Sequence, residues 1–443
     1  MKKWMIRALS VLLIAAFLPV SVLAAEYDLS EGSVTVSTSK RADGSTRQDV
    51  SHKGSTKEDS NPTITSNGKT DNTITIKADA GTTANVTIKD TNIDSTGTGK
   101  AAIKTEGKGD VNLNVEGINT ATSDEGHAGV EKSNDGNLTI GSKSGSCELA
   151  ANGGDRGAGI GGGQGSDGTD ITIAGGKITA NGGVEAAGIG GGSFGDGSSI
   201  TVSGGEVTAN GGNSGAGIGG GSCGNVNDIT ISGGDVRATG GTNGAGIGAG
   251  MFGYVDSDIT ISGDSQVEAT GGAGSADANF GAAIGRGGRG DGASGDEIEP
   301  DTSGLYTTGK VERTSGDGTV LDTITGTVEP PAKPASSEEE ADKREPLYRV
   351  LHLDGSELKH QAKTADGILA LTAEADGAIL TGTLRALGYL QNQGVTKITF
   401  TDGTHSAELV LADLIAKGQP EDVYVLTLGA ENTLTLNGEA VDF

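Results

Sequence analysis

Apolar positions recur through the middle of the chain at one fixed interval. The isoleucine of the phrase Ala-Gly-Ile-Gly falls at Ile160, Ile189, Ile218 and Ile247, each 29 residues after the last. A second isoleucine, followed by threonine, falls at Ile171, Ile200, Ile229 and Ile259, at spacings of 29, 29 and 30. A period of this size with apolar residues at constant phases marks each unit as one coil of a solenoid. Within a unit, three short segments alternate inward and outward residues, as in Ala158-Gly159-Ile160, Ile171-Thr172-Ile173 and Ile178-Thr179-Ala180. Three strands per coil, paired in parallel with their equivalents above and below, predict an all-β right-handed parallel β-helix.

The same phases continue on both sides of the glycine-rich coils. Upstream, Ile103 and Val130 hold the first-strand phase, while Val86 to Ile88, Val111 to Val115 and Leu138 to Ile140 hold the second. Downstream, Ile284 follows Ile247 by 37 residues, one coil with an insertion around Ser275 to Phe280. Eight or nine coils are expected, ending near Val328, with the stretch up to Ile76 starting the sheets and covering an open end. Glu329 to Pro346 turns abruptly to Pro, Ala, Ser and Glu, which reads as a charged linker. From 347 to 443 the patterning is that of a small α+β domain. Strands are expected at Tyr348 to Leu353, Ile368 to Ala373, Lys397 to Phe400, Val423 to Leu428 and Thr433 to Leu436, and helices at Leu384 to Gln393 and Ala407 to Ala416.

Residues 1–25 read as an export signal: Lys2, Lys3 and Arg7, an apolar run from Ala8 to Val20, then small residues at Ala24 and Ala25. The expectation is a secreted or loosely surface-associated protein with no transmembrane segment after cleavage. Loss of three basic residues takes the formal charge from −27 to −30, which argues against nucleic-acid partners. The sole tryptophan leaves with the signal and aromatics are 3% of the chain, so stacking platforms for sugars are scarce. Cys147 and Cys223 sit at different phases about three coils apart, beyond disulfide reach. Cys223 shares its phase with Gly165, Phe194 and Phe252.

In a solenoid one phase of the repeat makes one surface stripe. Thr172, Thr201, Thr230 and Thr260 form a column of hydroxyls, a candidate ligand face, with threonine's ordinary fitness for strands as the competing explanation. Asn152, Asn181 and Asn210 should ladder through their amides. Asp167, Asp196 and Asn225 in one column, with Asp170 and Asp228 in the next, are candidate calcium ligands, and turn capping is the competing explanation. Strict alternation places Gly159, Gly188, Gly217 and Gly246 outward, with Gly161, Gly190, Gly219 and Gly248 beside them, leaving one face nearly bare. Such repetition points to close approach of another backbone, a flat ligand or another domain, or to duplication of a tightly bent founder. No catalytic residues and no assured cofactor are assigned, since Asp155, Arg156 and Glu185 do not recur as a cluster.

The glycine-rich phrases resemble repeats of bacterial secreted and cell-surface β-helix proteins. Val86 to Ile93 and Ala128 to Ile140 are similar to a carbohydrate-binding β-helix family, and the two likenesses together cover roughly residues 60 to 290. That resemblance implies binding of a polysaccharide or cell-surface glycan, with calcium as an added ligand, and carries no assured catalysis. The alternatives are a polysaccharide lyase or hydrolase of β-helix type and a structural protein that binds other surface proteins. Any site is expected on the less regular coils before Gly157 or at the insertion.

Overall fold

A computed structural model describes residues 25–142, 147–274, 280–289, 293–330, 348–365, 367–392, 395–419, 422–430 and 432–441. The expected export signal, the linker from 331 onward and residues 275–279 of the insertion lie outside the described residues. The chain divides into two compact units after Pro331.

The first unit is an all-β right-handed parallel solenoid of about ten turns, slightly more than the eight or nine coils expected. Its strands collect into three sheets of eleven, nine and ten strands. Ile160 pairs with Ile189, Ile171 with Ile200, and Ile178 with Val207, so residues of equal phase stack directly. The irregular coils obey the same register, since Ile103 pairs with Val130, Val130 with Ile160, and Val86 with Leu113. Ile247 pairs with Ile284 across the 37-residue spacing. Inward Ile, Val and Ala columns are fully buried along the whole unit. Each such Ile or Val contributes roughly 1.5–3 kcal/mol through burial.

Antiparallel strands are added at both ends of the unit. At the start, Val34–Lys40 carries an antiparallel hairpin of Thr46–His52 and Ser55–Glu58. At the finish, Val320–Thr325 folds back antiparallel on Lys310–Thr314. The Glu297 carboxylate accepts the backbone N–H of Ala283 (2.7 Å) and of Ile284 (3.2 Å), capping the last rung of the first sheet.

The bare glycine face does not exist. Gly157 to Gly163 are all buried, as are Gly188, Gly190, Gly217 and Gly219. The reason is a pinch in the backbone. Ala158 N–H donates to Gly162 O (3.0 Å), and the same bond recurs at Ala187 to Gly191, Ala216 to Gly220, Ala245 to Ala249 and Ala282 to Arg286. Each closes a five-residue arch with the isoleucine at its middle, so the flanking glycines line a closed neck rather than an open strand. A Cβ on Gly188 would lie 2.7 Å from Asn210 N, and one on Gly190, at φ +133°, 2.0 Å from Gly219 O. The loops before and after each arch then join across a seam. Ser193 N–H bonds Arg156 O (2.9 Å), Ser222 bonds Glu185 O (2.7 Å), Met251 bonds Ser214 O (2.8 Å) and Gly288 bonds Asn243 O (2.7 Å). The backbone that approaches the glycines is therefore the protein's own.

The second unit is β-rich rather than evenly α+β. Among the described residues one sheet has five strands and the other four, with two short helices, α1 (Leu384–Asn392) and α2 (Leu411–Ile415). All five expected strands and the first expected helix are present. The expected helix over Ala407 to Ala416 is half strand: Ser406–Val410 pairs antiparallel with Lys397–Thr401, and only Leu411–Ile415 is helical. Asp402 is buried and anchors a turn. Burial alone would raise its carboxyl, but donors from His405 backbone and ring, Thr404 and Gly377 outweigh that and lower it to about 2.

Two outcomes follow from this packing. Gly190→Ala should cost roughly 3 kcal/mol or more of solenoid stability in thermal or urea unfolding. Gly165→Ala, at φ +71° with no atom within 4 Å of a new Cβ, should cost about 1 kcal/mol. In the second unit the folded carboxyl of Asp402 lies below the ordinary 3.8, so its contribution is complete above that pH and is lost as pH falls toward about 2. Acid unfolding of this unit should therefore steepen across that window, and Asp402→Asn should flatten it while lowering stability at neutral pH.

Candidate functional site

The polar columns are mostly engaged with one another. Asn181 Nδ2 donates to Asn152 Oδ1 and Asn210 Nδ2 to Asn181 Oδ1, each at 2.8 Å, and the ladder begins one coil earlier at Thr122 Oγ1. This is the expected amide ladder. The acidic columns work in a related way. Asp167 Oδ1 accepts Asp196 N–H (2.8 Å), Asp196 Oδ1 accepts Asn225 N–H (2.7 Å), and Asn225 Oδ1 accepts Tyr254 N–H (2.9 Å). Asp228 meets Ser257, its N–H bonding the hydroxyl at 2.7 Å. Asp170 holds a left-handed turn at φ +54°, as Asp228 does at φ +58°. Among the described residues no three His, Cys, Asp or Glu side chains gather into a group that would hold a metal. The two cysteines are free thiols.

The threonine column is continuous and half-buried. Thr139, Thr172, Thr201, Thr230 and Thr260 stand in direct register on the second sheet. Asn112 and Asn85 extend the stripe into the irregular coils, linked by Nδ2 to Oδ1 at 2.9 Å. One rung of this stripe rises about 4.8 Å.

Beside that extension lies a groove of about 380 Å³, lined by Asn61, Thr87, Lys89, Asn114, Glu116, Ser142 and Cys147 among others. It sits on the irregular coils before Gly157. Thr87 pairs with Asn114, and Asn114 with Gly141, so the column loses its side chain at Gly141 and the surface opens. Lys89 and Glu116 are cross-strand partners and bring both charges to one wall. The groove thus presents amides, hydroxyls, an ammonium and a carboxylate over a floor that includes Val115. The expectation of a site on the coils before Gly157 names the region and the Val86 to Ile93 segment, but does not single out Lys89, Asn114 or Glu116 as site residues. Their signal was departure from the repeat: Lys, Asn and Glu occur where the later coils carry small residues.

A second cluster on the first sheet was also missed. Glu131 is buried, takes His127 Nδ1 at 2.6 Å and Lys104 Nζ at 3.1 Å, and meets Ser133 Oγ at 3.4 Å. Lys104 continues toward Glu106, which pairs with Lys77 at 3.0 Å. Glu131 stands in register with Gly161, where ordinary strands give way to pinched arches. A Cβ on Gly163 would come within 3.0 Å of Glu131 Oε2, so the carboxylate closes the space that the next coil's loop leaves. Its partners satisfy it in place, and the cluster serves as a junction. No described helix is long and apolar enough to cross a membrane.

Known proteins add one likeness. A family model described as a beta helix repeat matches residues 171–193, 200–222, 229–251 and 259–285, all in the glycine-rich coils. No curated protein and no solved structure matches the chain. The repeat match and the stacked three-sheet coils make this chain a parallel β-helix protein.

Proposed function

We propose that this is a non-enzymatic extracellular binding protein that takes a polysaccharide or cell-surface glycan along the second sheet. The groove carries the reading. Its size suits one or two sugar rings, and its lining sets donors and acceptors beside apolar surface. Lys89 and Glu116 suit hydroxyl-rich ligands, since a charged partner strengthens each hydrogen bond. The adjoining Asn and Thr stripe offers further hydroxyls and amides at each coil rise. Export of the chain follows from the N-terminal pattern, and calcium remains a proposed auxiliary ligand of the Asp167, Asp196 and Asp228 columns.

A glycan array run with and without calcium tests this, with product analysis on every glycan retained. Saturable binding without cleavage is expected. Lys89→Ala and Asn114→Ala should each weaken it by about tenfold with little change in melting temperature, as loss of one charge-assisted or buried hydrogen bond predicts. Release of shortened sugars would favour a β-helix lyase or hydrolase instead. Silence across the array would favour a structural role with protein partners.

A further inference from the structure

The loop that follows each arch carries a column of outward residues five positions beyond the arch isoleucine: Gly165, Phe194, Cys223, Phe252 and Arg289. Backbone bonds hold it in register, Phe194 N–H to Ser222 O (2.9 Å), Cys223 to Met251 O (2.7 Å) and Phe252 to Gly288 O (3.2 Å). Phe194, Cys223 and Phe252 all adopt φ between +60° and +67°, which glycine would satisfy without strain, as it does at Gly165. Large side chains nevertheless stand there in the open. Phe194 is 63% exposed and Phe252 46%, Cys223 is exposed between them, and Tyr254 beside Phe252 is 56% exposed. In a chain so poor in aromatics, three of them exposed on one loop stack form a patch that calls for a partner.

The order of the column identifies that partner. Phe, Cys, Phe reads the same in both directions, one coil apart on each side of Cys223. A two-fold axis through Cys223, perpendicular to the solenoid, would lay Phe194 of one copy against Phe252 of the other, twice, and bring the two Cys223 thiols together. A closed two-fold interface requires this kind of self-complementary patch. Charge agrees with the antiparallel sense. Asp167 lies beside Gly165, two coils before the axis, and Arg289 lies two coils after it, so each copy's Asp167 would face the other's Arg289. Arg286 stacks on Tyr254 at 3.9 Å, and Asp296 pairs with both arginines. A parallel arrangement would oppose like charges instead.

We propose that this column is the contact of an antiparallel homodimer, with a second copy of this chain as the occupant. The aromatic contact is small beside a standard interface of about 1,600 Å², so association is weak and reversible until the thiols join. Joining needs an oxidant. With a small-molecule disulfide such as oxidised glutathione, one Cys223 thiolate attacks a glutathione sulfur and releases one glutathione thiolate. The second Cys223 thiolate then attacks the mixed disulfide, forming the interchain bond and releasing the other glutathione thiolate, and the two cysteine protons go to solvent or to those thiolates.

The test uses the full chain carrying Cys147→Ser, so that Cys223 is the one remaining thiol. Under oxidised glutathione it should yield a disulfide-linked dimer on non-reducing gels, and sedimentation under reducing conditions should show association that rises with concentration. Phe194→Ser with Phe252→Ser should slow crosslinking by about tenfold or more, since central aromatics dominate such contacts. Asp167→Arg should slow it as well, and Asp167→Arg with Arg289→Asp should restore the rate. Three results would overturn the proposal: a monomer at every concentration that stops at the mixed glutathione disulfide, crosslinking as fast without the phenylalanines, or a double charge swap that gives no rescue. Glycan binding is read separately through the Lys89 groove, so its failure leaves this test standing.

Discussion

The structure depends on how closely the solenoid's backbone approaches itself. In the glycine-rich coils the N–H of an alanine and the carbonyl four residues on close an arch, and the loops on either side bond across a seam to the next coil. A side chain at Gly190 would come within 2.0 Å of a carbonyl oxygen in the coil above. Every coil repeats the restriction, so one tight geometry propagates from Ile160 to Ile284. Isoleucine at each arch then fills the core that the pinch has brought inward.

This constraint also determines where chemistry can reside. The pinched wall has no room for functional side chains, and the Asn and Asp columns are occupied in linking one coil to the next. What remains is the irregular coils, where Lys89, Asn114 and Glu116 interrupt the small-residue pattern, and the loop apices, where Phe194 and Phe252 project. Glu131 marks the transition between the two regimes. Its carboxylate, paired with Lys104 and His127, occupies the phase that glycine holds in every later coil.

The solenoid was legible because phase is a one-dimensional property: equal spacing in sequence becomes direct stacking in space. The register of Ile103, Val130, Ile160 and Ile284, the Asn152 to Asn210 ladder and the separation of the two cysteines all follow from it. The glycine face was misread because period-two alternation assumes an extended strand, and an arch closed by a bond from Ala187 to Gly191 is not one. The residues of the Lys89 groove were not legible for a different reason, although its region was expected: it combines residues from four coils that share no motif. In the second unit, Ser406 to Val410 carries alternation and helical spacing at once, and pairing with Lys397–Thr401 decides in favour of strand.

The central claim is that the arch and its seam are closed by backbone hydrogen bonds rather than open to ligand or solvent. Native-state hydrogen exchange measured by mass spectrometry tests it directly on the amides of Ala187, Ser193, Ala216 and Ser222. Closed seams predict exchange as slow as that of the core strands at Ile171 and Ile200, with a common response to denaturant. Exchange at loop rates, with the core strands still protected, would contradict the account.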